Sequence, residues 1–330
     1  MSATVLTVIL NYRTADMTLR AAETAVRAME GIEGAITIVD NDSQDGSFEA
    51  LVKATAGWPR VRVIQSGHNG GFGAGNNVGI RAGLPDGTKP DFVYLLNSDA
   101  FPEPEAIARL RDYLLENPDC GFVGSHVRGE DDLAHVTAFR FPSIRSEFEG
   151  AAHTGVISRL LARHIVPMGV PDQPTEIDWC AGASVMFPMG VLDRAGLFDE
   201  VFFLYFEETD LCHRIRDAGF RGVYLPQARV VHIGSVSTGM KEWKRQPRYW
   251  FDSRAHYFRK RGGAFYLAAV TLAHLAGAAI WKLRRLLERK EERIAPYFLR
   301  DLVSQTWRNL MPRATVSEGR PRGQGAPVER

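Results

Sequence analysis

The strongest constraint on how this chain can fold is the rhythm of its first 125 residues, where short apolar, β-branched runs alternate with helical stretches. Thr4–Leu10 (TVLTVIL) lacks the in–out alternation of a half-exposed strand and reads as a strand buried on both faces. A helical pattern follows over Asp16–Met29, a strand over Ala35–Asp40, a helix over Ser47–Ala56, strands over Val61–Gln65 and Phe92–Leu96, and a helix over Pro104–Glu116. Strand and helix in alternation predict an α/β fold: a mostly parallel sheet with helices on both faces. Such sheets bind ligands beyond the carboxyl ends of their strands.

Those strand mouths are all polar. The first strand ends in Asn11-Tyr12-Arg13, the second in Asp40-Asn41-Asp42-Ser43, and the fourth in Asn97-Ser98-Asp99. The third leads into His68-Asn69-Gly70-Gly71-Phe72-Gly73-Ala74-Gly75-Asn76-Asn77. A polar ligand held along one rim accounts for all four. Asp99 at a strand mouth suits Mg²⁺ or Mn²⁺, which keeps waters and binds substrate phosphates; turn chemistry explains Asn-Ser-Asp equally well when it is taken alone. Asp40 can accept hydrogen bonds from a nucleoside, or can simply form an Asx turn. The glycines allow close backbone approach to a ligand, but the dinucleotide fingerprint fails because the position after Gly71 and Gly73 that needs glycine is Asn76. No phosphate-binding G-x-x-x-x-G-K-[ST] loop occurs either.

Residues 126–176 are irregular and are predicted to form either an insertion or a mobile segment facing substrate. Order returns with a strand near Asp178–Phe187, the run GLFDEVFFLYFEETDLCHR, and short strands at Val223–Leu225 and Arg229–His232. Glu207-Glu208-x-Asp210 opens a helix. Acids there complement the helix dipole, or supply a general base at the edge of the rim. His232 is either a structural histidine or, at a strand mouth, a metal ligand.

In order and content, VILNYR, IVDNDSQDGS, HNGGFGAGNNVG, YLLNSD, WCAGASVMF, GLFDEVFFLYFEETDLCHR and VVHIGS resemble the inverting, GT-A-type glycosyltransferases of family 2, especially their rhamnosyltransferase-like branch. The resemblance covers about residues 4–240. It implies a nucleotide-sugar donor and a divalent metal. It assigns Asp40 to the nucleoside, with Asn11 and Arg13 beside it, and Gly71, Gly73 and Asn76 to a loop closing on the donor. Asn97-Ser98-Asp99 stands at the family's Asp-x-Asp motif with Asn97 replacing the first acid, which leaves Asp99, with His232, for the metal. The family's Glu-Asp pair is Glu207-Glu208 here, so Glu208 matches the base and Asp210 is the alternative. Asp178, Trp179, Cys180 and Gly182 fall on the acceptor wall. The donor implied by the branch is dTDP-rhamnose, with UDP-galactofuranose or UDP-glucose as alternatives, and the acceptor is polyprenyl-linked or another glycan in cell-envelope assembly.

The resemblance divides the chain into a catalytic domain over 1–240, with a nucleotide-binding half at 1–125 and an acceptor-binding half at 126–240. A helical extension at 241–312 and a disordered tail at 313–330 follow. Charge supports a separate character for the C-terminal part. Residues 241–330 hold 20 Lys and Arg against 8 Asp and Glu, whereas residues 1–240 hold 20 against 31. Phe265–Trp281 is uncharged and, at 17 residues, slightly short of the roughly 20 that span a bilayer. Lys282, Arg284, Arg285, Arg289 and Lys290 follow directly. This pattern predicts an interfacial helix that meets anionic lipid, with a core helix packed on the body as the alternative. The basic residues flank an apolar stretch and carry no recognition motif, so nucleic acid is not an expected partner.

Composition removes other classes. An apolar content of 45% with 24% charged residues excludes a mainly disordered or collagen-like chain. Three scattered cysteines, Cys120, Cys180 and Cys212, do not build a disulfide framework or zinc site and predict a reducing compartment. The N-terminus has no basic region before its first strand and is not expected to be a signal peptide. The expected location is therefore cytoplasmic, peripheral at the inner membrane face. Two further readings are a nucleotidyltransferase, disfavoured because NYRTADMT contains no glycine, and a catalytically inactive scaffold of the same fold, which the departures at Asn97 and Glu208 permit.

Overall fold

The structure is a computed structural model that describes residues 3–234, 245–292 and 294–311. Its first half follows the expected alternation: β1 (Val5–Asn11), α1 (Ala15–Ala28), β2 (Gly34–Asp40), α2 (Ser47–Thr55), β3 (Val61–Gln65), α3 (Gly71–Arg81), β4 (Phe92–Asn97), β5 (Ala100–Pro102) and α4 (Ala106–Glu116). Strands β3, β2, β1 and β4 lie side by side and parallel. Alternate residues of β1 serve opposite cores. Val5 and Ile9 pack with Ala22 and Ala25 of α1 and Leu110 of α4. Leu6 and Val8 pack on the other face with Ile80 of α3. Both faces are covered, which is why the strand is apolar apart from Thr7 and the terminal Asn11.

The glycine stretch is helix where the sequence suggests a loop. Five glycines within ten residues argue against helix by propensity, but packing requires them. A Cβ at Gly75 would lie 2.4 Å from a Leu10 methyl, and one at Gly79 2.6 Å from a Val8 methyl. Small residues let α3 sit directly on β1.

Residues 126–176 are more regular than expected. They contain the end of β6 (Cys120–Arg128), then β7 (Ala138–Phe139), α5 (Ile144–Ala152), α6 (Gly155–Leu160) and β8 (Thr175–Ile177). The strand predicted over 178–187 is two, β9 (Trp179–Cys180) and β10 (Ser184–Pro188), parted by Ala181-Gly182-Ala183. After α7 (Met189–Ala195) and α8 (Glu207–Asp217), the two short strands predicted near the end of the body are one long strand, β11 (Arg221–His232). Its pairing shifts register between Leu225 and Arg229, where Pro226 interrupts the ladder. The full sheet runs β3-β2-β1-β4-β10-β6-β11-β5, with β8 added on β11 and a small β7-β9 pair beside it. β10 is antiparallel to both its neighbours.

The extension is not a separate appendage. Helix α9 (Arg248–Glu288) bends at Gly262 and Gly263, where Gly263 has φ 74°. Its first half packs on the body: Ala255, Tyr257 and Phe258 form one buried cluster with Phe202. Packing is therefore continuous across the boundary expected at residue 240, because this half of α9 completes a core that the body leaves open. Its second half packs on α5 and on α10 (Phe298–Leu310), burying Leu267, Val270, Ala278 and Trp281. A Cβ at Gly277 would lie 2.4 Å from the Phe148 carbonyl oxygen, so this contact is close. The opposite face is apolar and open. Phe265, Leu272, Leu283 and Leu286 are 93%, 65%, 59% and 77% exposed, and their spacing places them on one stripe. Among the described residues, α9 is the one helix long and apolar enough to cross a bilayer. The tail at 313–330 lies outside the described residues.

An ion cluster ties α5 to α9. Glu147 accepts from Arg254 at 2.7 Å and lies 2.9 Å from His274 Nδ1, and Arg254 is 1% exposed. Burial raises the Glu147 pKa, but the Arg254 guanidinium and His274 more than offset that and hold it at about 2. A depressed carboxyl pKa stabilises the fold above the unfolded value, and the contribution is lost as pH falls through the folded value. Glu147→Gln is therefore expected to lower unfolding stability by about 3 kcal/mol at pH 7. In urea titrations the gap between the two proteins should narrow as pH drops below the ordinary glutamate value of 4.5.

Candidate active site

A cavity of about 390 Å³ opens at the mouths of β1 and β4. One strand pairing builds one side. β5 returns antiparallel to β11, which pairs His232 with Ala100 and brings its ring to the turn after β4. His232 Nε2 then lies 3.0 Å from Asp99 Oδ1, and Asn97 Nδ2 is 3.4 Å from the same nitrogen. Asp99 is 4% exposed. Asn97, Ser98, Asp99 and His232 all line the cavity.

A second side comes from α8. Glu207 and Glu208 sit in its first turn and both line the cavity. Glu208 is half-buried, and Gly182 N–H donates to its Oε1 at 3.2 Å. A Cβ at Gly182 would lie 2.7 Å from that oxygen and 2.8 Å from the Phe72 ring, so the position admits only glycine without displacement. Burial raises the pKa of Glu208. Glu207 is 1% exposed and its Oε2 has no hydrogen-bond partner. Burial, then the neighbouring Glu208 charge, push its pKa well above the usual range. Glu207 thus holds its proton more tightly, and Glu208 ionises first.

The remaining expected site residues divide between the cavity and its surroundings. Gly71 lines it, and a Cβ there would lie 1.8 Å from the Phe203 carbonyl oxygen, at φ 89°. Gly73 and Asn76 lie behind it in α3: Gly73 packs against Phe198, and the Asn76 side chain donates to the Phe72 carbonyl at 3.0 Å. Asn11, Asp40 and Arg13 form a polar cluster around Ser43, beside the lining residues Tyr12 and Asn41. Asp40 accepts from Asn11 at 2.7 Å and from Ser43 Oγ at 2.6 Å, and Arg13 Nε donates to the Ser43 carbonyl. Besides Gly73 and Asn76, three more placements differ from the sequence reading. Asp210 is fully buried and engaged by Arg214 and Lys260, at 2.8 and 2.9 Å, away from the cavity. Asp178 pairs with Arg216 and accepts from Phe141 N–H. Trp179 stacks on Phe139 with centroids 4.2 Å apart and donates to the Arg140 carbonyl. Neither Asp178 nor Trp179 lines the cavity.

The sequence reading missed the lining residues Phe203, Tyr205 and Tyr249. The first two precede α8 in an irregular loop, and Tyr249 belongs to α9. None follows a strand, so the strand-mouth rule does not reach them.

A likeness in shape gives the fold. The structure matches a mannosyltransferase from Pyrobaculum calidifontis in complex with GDP-Man and Mn²⁺, with a TM-score of 0.58 over 94% of this chain and 88% of that one, at 15% identity. The fold is that of GT-A glycosyltransferases. The family glycosyltransferase like family 2 matches residues 3–263, and the chain belongs to it. That match ends at the bend in α9. N-acetylglucosaminyl-diphospho-decaprenol L-rhamnosyltransferase of Mycobacterium tuberculosis is 30% identical over 217 residues, 62% of this chain and 68% of that protein. Rhamnosyltransferase WbbL of Escherichia coli is 25% identical over 165 residues, 49% of this chain and 60% of that one. The protein is a glycosyltransferase enzyme of the rhamnosyltransferase-like kind.

The two neighbouring acids are separable by experiment. Glu208→Gln is expected to lower kcat by about 10²–10⁴-fold, the usual worth of a positioned base. Glu207→Gln keeps the shape of a group that holds its proton more tightly than Glu208, and should stay within about tenfold of wild type. If Glu208 acts as the base, the acidic limb of kcat/KM should fall above the ordinary glutamate value of 4.5, because burial raises its pKa.

Proposed function

We propose that this enzyme transfers rhamnose from dTDP-rhamnose to a hydroxyl of a lipid-linked glycan acceptor, with inversion, in cell-envelope glycan assembly. The observation that carries the reaction type is one cavity holding both Asp99 with His232 and a half-buried carboxylate, Glu208, fixed by the Gly182 N–H. The names of the relatives support the sugar and the acceptor class.

Asp99 and His232 suit a divalent cation. A carboxylate oxygen and an imidazole nitrogen converge in a buried turn, and no group of three or more such ligands occurs among the described residues. Asp99 and His232 would hold such a cation, and when bound it would supply positive charge against the departing diphosphate. The structural neighbour with Mn²⁺ supports this reading.

The chain's own groups do the rest. Glu208 accepts the proton of the acceptor hydroxyl. That oxygen forms its bond to the anomeric carbon from the face opposite the diphosphate. The glycosidic C–O bond breaks, and its electron pair leaves on the nucleoside diphosphate. Gly182 N–H holds Glu208 in position, and the buried Asn11–Asp40–Ser43 cluster orders the turn whose lining residues Tyr12 and Asn41 would meet the nucleoside. The exposed stripe of α9 and the basic residues after it fit reversible attachment to the cytoplasmic face of the inner membrane, where such an acceptor's lipid lies.

A thermal-shift panel of dTDP, UDP, GDP and NAD, each with and without Mn²⁺, tests the reading. A nucleotide at 100 times its Kd adds about 2.7 kcal/mol to the native state. Metal-dependent stabilisation by dTDP, abolished in Asp99→Ala, is the expected result. A preference for UDP would change the sugar, and full turnover by Asp99→Ala would remove that residue from the site.

A further inference from the structure

One wall of the cavity is aromatic, and elements far apart in sequence build it. Phe203 and Tyr205 come from the loop before α8, and Tyr249 comes from the first turn of α9. The Phe203 and Tyr249 rings lie 5.5 Å apart, and Tyr205 and Tyr249 lie 6.4 Å apart with their planes within 8° of parallel. These rings do not fill a core: Phe203 is 39% exposed, and both tyrosines are half-buried.

A nucleoside diphosphate needs hydrogen-bond donors and positive charge for its phosphates, and this wall supplies little of either. A sugar ring differs, with C–H groups on its faces and hydroxyls around its edge. The apolar faces suit aromatic rings, which leaves the hydroxyls free to reach polar groups such as Glu208 elsewhere in the same cavity. We propose that Tyr249, with Tyr205 and Phe203, forms the subsite for the terminal sugar of the acceptor. The inference rests on the transferase reading above and gives the acceptor a wall in place of Asp178 and Trp179.

The backbone supports this assignment. Tyr205 and Phe206 both have positive φ, 71° and 68°, a conformation that is strained for aromatic residues. Helix α9 holds that turn in place. The Phe206 ring packs against Trp250, Tyr257 and Phe258, and Ser253 Oγ donates to the Leu204 carbonyl at 3.0 Å. The strained turn directs Tyr205 into the cavity and starts α8 with Glu207 and Glu208. Beyond its bend, the same helix carries the exposed apolar stripe. One element therefore bears a residue for the acceptor's sugar and a surface suited to the membrane that holds the acceptor's lipid.

The test uses the full-length enzyme and a soluble probe, N-acetylglucosamine diphosphate esterified to a short alkyl chain. Tyr249 is half-buried, so truncating it leaves the core intact. Tyr249→Ala is expected to raise the probe's KM by about tenfold, the scale of one lost aromatic contact, with dTDP affinity unchanged. Tyr249→Phe should restore the wild-type KM because the ring face is kept. Saturation-transfer NMR with the dTDP-loaded protein needs no turnover: ring-proton signals of the probe should fade in Tyr249→Ala and persist in Tyr249→Phe. A Tyr249→Ala protein that loses nucleotide affinity instead, or that matches wild type in both KM and NMR signal, overturns the proposal. A wild-type enzyme that transfers sugar from no donor defeats the transferase reading, and the NMR comparison still decides the subsite.

Discussion

β10 runs antiparallel between β4 and β6, and through that one strand the two halves of the sheet share a rim. Without it the parallel strands of the first half would end at β4, and β6 with β11 would form a separate ribbon. The residues before it are bound to both sides. The Ala183 carbonyl accepts from Asn97 N–H at 3.0 Å, and Gly182 N–H donates to Glu208. The turn bearing Asp99 and the helix bearing Glu208 are thereby fixed to the same three-residue segment. The register shift in β11 works with this arrangement, because it carries the strand on to β5 and sets His232 beside Asp99.

Two carboxylates side by side in a buried helix turn are costly unless something limits their charge. Here the environments differ. Glu208 reaches the cavity and receives a backbone donor, whereas Glu207 is enclosed with one oxygen unpartnered. The difference separates their tendencies to ionise and leaves a single group suited to accept a proton. Asp210, three residues beyond Glu207, serves structure: its ion pairs with Arg214 and Lys260 connect α8 to its own next turn and to α9.

Helix α9 packs on the body as far as its bend. Lys260 and His256 also reach Asp199 in the loop before α8, so several charges pin the helix to the segment that shapes the cavity. The open stripe beyond Gly263 is of a different kind, since its apolar side chains have no covering element among the described residues.

Much of this was legible in residue order. Apolar runs fixed the parallel strands of the first half, since a strand buried on both faces tolerates few polar residues, and the same logic located Asp99 and His232 at strand mouths. Local pattern failed where packing overrides propensity: glycines that read as a loop form α3, because only small residues let it approach Leu10 and Val8. Asp178 and Trp179 read as wall residues, yet a neighbouring cation and a ring stack turn them away. The sequence by itself determined the α/β framework, the polar rim and the chemical types available there. Tertiary structure alone decided that Glu208, and not Glu207, receives the Gly182 N–H, and that Tyr249 joins the site from more than forty residues beyond Glu208, because those contacts arise from helix docking between segments whose separation in the chain carries no local signal.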